Sequence, residues 1–131
     1  MPSILNKKVL VVEDSPILSM ETEDVLVDGG YVVVGPAVDV DTALSFIAET
    51  SIDAAVLDVN LSGEDVFPVA EKLHELSIPF LFLTAYPSSV LSSTAFAQCV
   101  VVEKPFLSDR LLTQLAKLLE ISKQTLAGSS A

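Results

Sequence analysis

Short apolar runs of strand length alternate along this chain with segments of helical period, and that alternation predicts an α/β fold: a parallel sheet with helices on both faces. Two further observations support it. Residues 9–12, 54–57, 80–83 and 100–102 are continuously apolar, as strands buried on both sides must be. Each of these runs also leads directly into chemically capable side chains: Glu13-Asp14, Asp58, Thr84 and Glu103-Lys104-Pro105. In a parallel sheet those four ends share one edge, where open α/β sheets form their ligand sites.

Taken in order, residues 9–12 make the first strand. Ser15-Pro16, a good cap and first-turn pair, opens a helix with Ile17, Met20, Val25 and Leu26 as its apolar residues. Gly29-Gly30 ends it. Residues 31–34 read as the second strand, stopped by Gly35-Pro36. Residues 41–49 carry Ala43, Leu44, Ile47 and Ala48 on one helical face. The third strand, 54–57, precedes a loop-like Asn60-Leu61-Ser62-Gly63 and a helix over 66–76 with Val69, Ala70, Leu73 and Leu76 at helical spacing. The fourth strand, 80–83, is followed by a Ser-rich, weak helix over 88–97 and the fifth strand, 100–102. Residues 107–121 form the last helix, with Leu111, Leu112, Leu115, Leu118 and Leu119. The expected architecture is therefore five strands and five helices in one domain over residues 1–131. Its core covers about residues 6–121, with a frayed tail at 122–131. Right-handed crossovers leave few topologies, and the flavodoxin-like order 2-1-3-4-5 is the expected one.

Composition narrows the function. The chain has 131 residues, enough to bury a core; half are hydrophobic and only 19% charged, which excludes the disordered class. A net charge of −11 with seven Lys plus Arg excludes a basic stripe for nucleic acid or an anionic membrane surface. Cys99 is the single cysteine, so no intrachain disulfide or cysteine metal cluster can form, and it reads as a small buried hydrophobe. No uncharged apolar segment approaches a membrane span, and residues 1–8 lack the apolar stretch of a signal peptide. A soluble cytoplasmic protein is expected.

At the common strand edge, Glu13, Asp14 and Asp58 supply carboxylates and the backbone carbonyl of Asn60 another oxygen. This set suits a hard divalent cation, Mg²⁺ or Mn²⁺, directly or through water. Like charges this close repel, and a cation relieves the repulsion. Asp58 can then attack phosphorus and form an acyl phosphate. The Lys104 ammonium would neutralise charge on the phosphoryl oxygens and the Thr84 hydroxyl would donate to one of them.

With Glu13-Asp14 after the first strand, Asp58 after the third, Thr84-Ala85 after the fourth and Lys104-Pro105-Phe106 after the fifth, the chain resembles the receiver domain of bacterial two-component response regulators. The resemblance covers about residues 6–121. It implies that Asp58 is the phosphoacceptor, supplied by a histidine kinase or histidine phosphotransfer protein. It implies Mg²⁺ on Glu13 and Asp14, a switch hydroxyl on Thr84, phosphoryl binding by Lys104, and a cis Lys104-Pro105 bond. Such a domain signals to a downstream protein or drains phosphate from its kinase, as a monomer or weak dimer. One departure stands out. Receivers usually place Tyr or Phe three residues before the lysine, and that position is Val101 here. The stretches 79–86 and 58–61 resemble a subgroup lacking this aromatic, in which Tyr86 is a candidate mobile aromatic.

Other readings of the same residues exist. Glu13 and Asp14 can serve as acids at a helix N-terminus, Thr84 can end a strand, Lys104 can be a solvated charge, and Val101 can be core. His74 reads as solvent-facing or locally hydrogen bonded. An aspartyl phosphatase would want a second acid two residues after Asp58, where Asn60 stands. A flavin carrier would need a phosphate cradle after the first strand, and Glu13-Asp14 repels phosphate. A phosphorylation-independent interaction module would leave the acids idle.

Overall fold

The structure, a computed structural model, describes residues 6–61, 64–84, 100–103 and 108–130. The strands are β1 (Lys8–Val12), β2 (Val32–Ala37), β3 (Ala54–Asp58), β4 (Asn60–Leu61), β5 (Glu64–Asp65), β6 (Phe80–Thr84) and β7 (Val100–Glu103). The helices are α1 (Pro16–Asp28), α2 (Val40–Glu49), α3 (Phe67–Glu75) and α4 (Ser108–Ser130). The main sheet is parallel, in the order β2-β1-β3-β6-β7. Strand order reverses beside β1, between its neighbours β2 and β3, which is where doubly wound sheets open their crevice.

Seven strands rather than five are present among the described residues, because the loop after β3 folds into an antiparallel pair, Asn60 opposite Asp65 and Leu61 opposite Glu64. Four helices rather than five are described. The weak helix expected over 88–97, like Cys99 and the Lys104-Pro105 bond, lies outside the described residues.

The sheet separates two apolar layers. Leu10, Val12, Ala55, Leu57 and Phe82 point to one side, against Ala43 and Ile47 of α2 and Val69, Ala70 and Leu73 of α3. Val9, Val11, Ala54, Val56, Leu81 and Leu83 point to the other, against Leu26 of α1 and Leu111 and Leu115 of α4. Both faces of β3 are buried along its whole length, which accounts for its unbroken apolar run.

Local chemistry sets the helix ends. Asp39 caps α2 by accepting from the Thr42 N–H at 2.8 Å. The hydrogen bonds from Thr42, side chain first and then backbone, hold the Asp39 carboxyl below its ordinary range. Asp65 accepts from the Phe67 N–H at 2.9 Å and so leads the hairpin into α3.

Three expectations need correction. Gly35-Pro36 does not stop β2; the strand continues to Ala37 through a register shift. The last helix does not end at residue 121 as expected, since α4 runs on to Ser130. The apolar face expected for α1 is also wrong. Ser19, Thr22 and Leu26 are buried, whereas Ile17 and Met20 are 70% and 63% exposed. Nine residues at 100° each put Leu26 on the opposite side of the helix from Ile17, so both cannot face the sheet. The buried hydroxyls are accommodated because Ser19 donates to the Pro16 carbonyl and Thr22 to the Leu18 carbonyl. His74 is exposed, as expected.

Candidate metal centre at the sheet edge

Asp58 ends β3 between β1 and β6, with Leu57 opposite Val12 and Asp58 itself opposite Leu83. It is only 6% exposed. The next residue is tied to the neighbouring strand, the Val59 N–H donating to the Leu83 carbonyl at 3.3 Å. Glu13 follows β1 directly and is buried. Its backbone N–H donates to the Ala37 carbonyl at 3.0 Å, and its Oε1 accepts from the Ser15 N–H at 3.3 Å. Ser15 is also the N-cap of α1, its Oγ accepting from the Leu18 N–H at 3.4 Å. The β1-to-α1 turn and the helix start thus orient Glu13 together.

Glu13, Asp14 and Asp58 come together: one carboxylate oxygen of each lies within 4.8 Å of the others. Opposite ligands of an octahedral magnesium ion stand about 4.2 Å apart, so this spacing fits one cation held partly through water with a small inward movement. The donor set, all hard oxygen, also fits Mg²⁺ or Mn²⁺ rather than a softer metal. Two of the three carboxylates are buried, a cost that a cation bound close by would offset.

The remaining expected site residues are placed in part. Asn60 begins β4, so its backbone leaves β3 two residues beyond Asp58. Thr84 ends β6 opposite Glu103, and Val101 pairs with Phe82. Of these three only the backbone is described. Lys104 and Tyr86 lie outside the described residues. Two contributors were missed by the sequence reading: the Ser15 N–H and the Ala37 carbonyl, both backbone groups with no side-chain signature. The β4–β5 hairpin was missed as well, although Ser62-Gly63 is a turn-type pair at the right point.

A buried aspartate at the carboxyl end of the central strand of a doubly wound sheet, beside two more acids, defines an α/β domain with a carboxylate site suited to a divalent cation. The comparisons name the family: residues 9–116 match the response regulator receiver domain, and the chain belongs to that family. The chain is 29% identical over 104 residues to the phyllosphere-induced regulator PhyR of Methylorubrum extorquens, covering 76% of this chain and 38% of that protein. It is 30% identical over 113 residues to the sensory transduction protein LytT of Bacillus cereus, covering 84% of this chain and 46% of the relative. The chain therefore spans less than half the length of these two relatives. Among solved structures, the PhyR receiver domain of Erythrobacter litoralis superimposes with a TM-score of 0.81 at 27% identity, over 88% of this chain and 91% of that one. The response regulator TrrA of Thermotoga maritima, solved in complex with Mg²⁺–BeF, gives 0.77 at 26% identity over 86% and 98%. Receiver domains are phosphoacceptors of two-component signalling rather than enzymes in general.

Proposed function

We propose that this receiver domain is a phosphorylatable switch in which Asp58 accepts a phosphoryl group from a histidine kinase or histidine phosphotransfer protein, with Mg²⁺ or Mn²⁺ bound at Glu13, Asp14, Asp58 and the Asn60 carbonyl. The observation that carries the reading is the convergence of the buried Asp58 with Glu13 and Asp14. In the transfer, an Asp58 carboxylate oxygen forms a bond to phosphorus as the phosphorus–nitrogen bond to the donor imidazole breaks, and the imidazole takes up a proton. A bound divalent cation supplies charge neutralisation for the phosphoryl oxygens. Lys104 and Thr84, following β7 and ending β6, contribute the ammonium and the hydroxyl at the same sheet edge. The TrrA complex supports the metal and the phosphoryl position by similarity.

The donor docks beside the site on α1. Ile17 and Met20 are exposed in its first turns, Glu21, Glu23, Asp24 and Asp28 follow along the same helix, and the helix carries no Lys, Arg or His. That surface suits a donor helix with an apolar stripe flanked by basic residues, and it repels a second copy of this acidic chain. With Val101 in place of an aromatic, the phosphorylated state is read through Thr84, Tyr86 and residues 88–97 by a downstream protein, or the domain drains phosphate from its kinase. The domain works in the cytoplasm, as a monomer or weak dimer, without nucleic acid. No helix among the described residues is long and apolar enough to cross a membrane.

The test is metal linkage. Mg²⁺ at ten times its dissociation constant should stabilise the wild type by about 1.4 kcal/mol, and Asp58→Asn should lose most of that response. Equal responses in both proteins would remove Asp58 from the site.

A further inference from the structure

β2 should end at Gly35-Pro36, yet it continues, and what it reaches is the metal site. Lys8, Val9 and Leu10 of β1 pair with Val32, Val33 and Val34, and pairing resumes only at Val12 with Ala37. Two residues of β2, Gly35 and Pro36, therefore stand against Val11 alone, which is a β-bulge. Past the bulge, the Ala37 carbonyl accepts the Glu13 N–H at 3.0 Å. Ala37 is fully buried and Glu13 nearly so. The bulge depends on glycine. Gly35 has φ +107°, and a Cβ there would lie 2.9 Å from the Val11 carbonyl oxygen and 2.9 Å from the Ala37 N. Both neighbours are backbone atoms of the two paired strands, so neither can swing aside as a side chain would.

From this geometry we infer that Gly35 and Pro36 form a positioning device for the cation site: the bulge carries β2 back onto β1 so that the Ala37 carbonyl fixes the backbone of Glu13. The Ser15 N–H fixes the carboxylate from the other side, so Glu13 is gripped at both ends by backbone groups that are not among the proposed ligands. Outer groups of this kind set metal affinity by orienting the ligand. A side chain at residue 35 parts β2 from β1 at Val11 and frees Glu13, which then binds the cation only after being reordered. The inference rests on the proposed cation site, and the experiment separates the two.

Mg²⁺ affinity is measured by calorimetry on the full chain as wild type, Gly35→Ala, Glu13→Gln and the double variant, with Gly29→Ala as control. The three atoms nearest a Cβ at Gly29 all belong to the Leu112 side chain, with Cδ2 at 2.6 Å, at the far end of α1 from Ser15. Gly35→Ala should weaken Mg²⁺ binding about tenfold, Gly29→Ala should leave it within about twofold, and Gly35→Ala should add nothing once Glu13→Gln is present. An unchanged affinity in Gly35→Ala, or an equal loss in the Glu13→Gln background, overturns the inference while leaving the cation site intact. Absence of Mg²⁺ binding by the wild type overturns the cation site itself, and the inference with it. Should Gly35→Ala not fold, Pro36→Gly replaces it, loosening the same bulge without adding a Cβ. It should likewise weaken Mg²⁺ binding, by up to about tenfold, and an unchanged affinity overturns the inference.

Discussion

The Tyr31 hydroxyl is the one buried side-chain oxygen or nitrogen without a hydrogen-bond partner among the described residues. Tyr31 is 4% exposed and sits among Val9, Val11, Leu26, Leu111 and Leu115, the apolar layer between the sheet, α1 and α4. Burying an unsatisfied hydroxyl costs about 1–3 kcal/mol in proteins, and Tyr31→Phe removes it without changing the ring that fills the layer. With a urea slope of about 1.5 kcal/mol per M for a domain of this size, a gain of about 1.5 kcal/mol moves the unfolding midpoint up by roughly 1 M at constant slope. The effect has a pH signature. Burial pushes the phenol above its ordinary value, so the neutral form is favoured in the folded state. The associated stability is fully present below the unfolded pKa of about 10 and is lost as pH rises through the folded value. Tyr31→Phe should therefore gain further on the wild type above pH about 10. Urea titrations at neutral pH and above that value test both points. A midpoint that falls or stays put in Tyr31→Phe would refute the reasoning, because it would mean that the hydroxyl is satisfied.

Ile17→Lys with Met20→Lys should leave stability within about 0.5 kcal/mol, since both side chains are mostly in water already. Phosphotransfer from the protein donor should slow at least about tenfold as two apolar contacts worth over 1 kcal/mol are lost, while labelling by acetyl phosphate is unaffected; equal slowing with both donors would move the docking surface elsewhere. Asp39→Ala should destabilise α2 at neutral pH. The wild-type carboxyl is held below its ordinary value, so its contribution is present above the unfolded pKa and lost as pH falls through the folded one. The stability difference between the two proteins should accordingly vanish in acid, as read by denaturation at stepped pH. Phosphorylation or beryllofluoride should raise amide protection first in residues 84–97, and protection confined to α1 and α2 would show a different output face.

The arrangement of the main sheet and the acidic cluster were legible because both are carried by side chains in a local pattern: apolar runs that end in Glu13-Asp14 and Asp58. What escaped the sequence depends on backbone geometry or on competition between faces. The face of α1 was misread because Ser19 and Thr22 satisfy their hydroxyls on their own helix and so can be buried, leaving Ile17 and Met20 outside. Gly35-Pro36 looked like a stop because glycine and proline usually end strands; here they make a bulge that only pairing with β1 reveals. The Ala37 carbonyl and Ser15 N–H are backbone groups, and no residue type announces them. The β4–β5 pair is two residues per strand, too short for any periodicity.

The central claim is that Asp58 is the phosphoacceptor of this receiver domain. Intact mass spectrometry after incubation with acetyl phosphate and Mg²⁺ tests it most directly. The account predicts a gain of one phosphoryl group in the wild type, its loss when Mg²⁺ is chelated beforehand, and no gain in Asp58→Asn. Undiminished labelling of Asp58→Asn would contradict it.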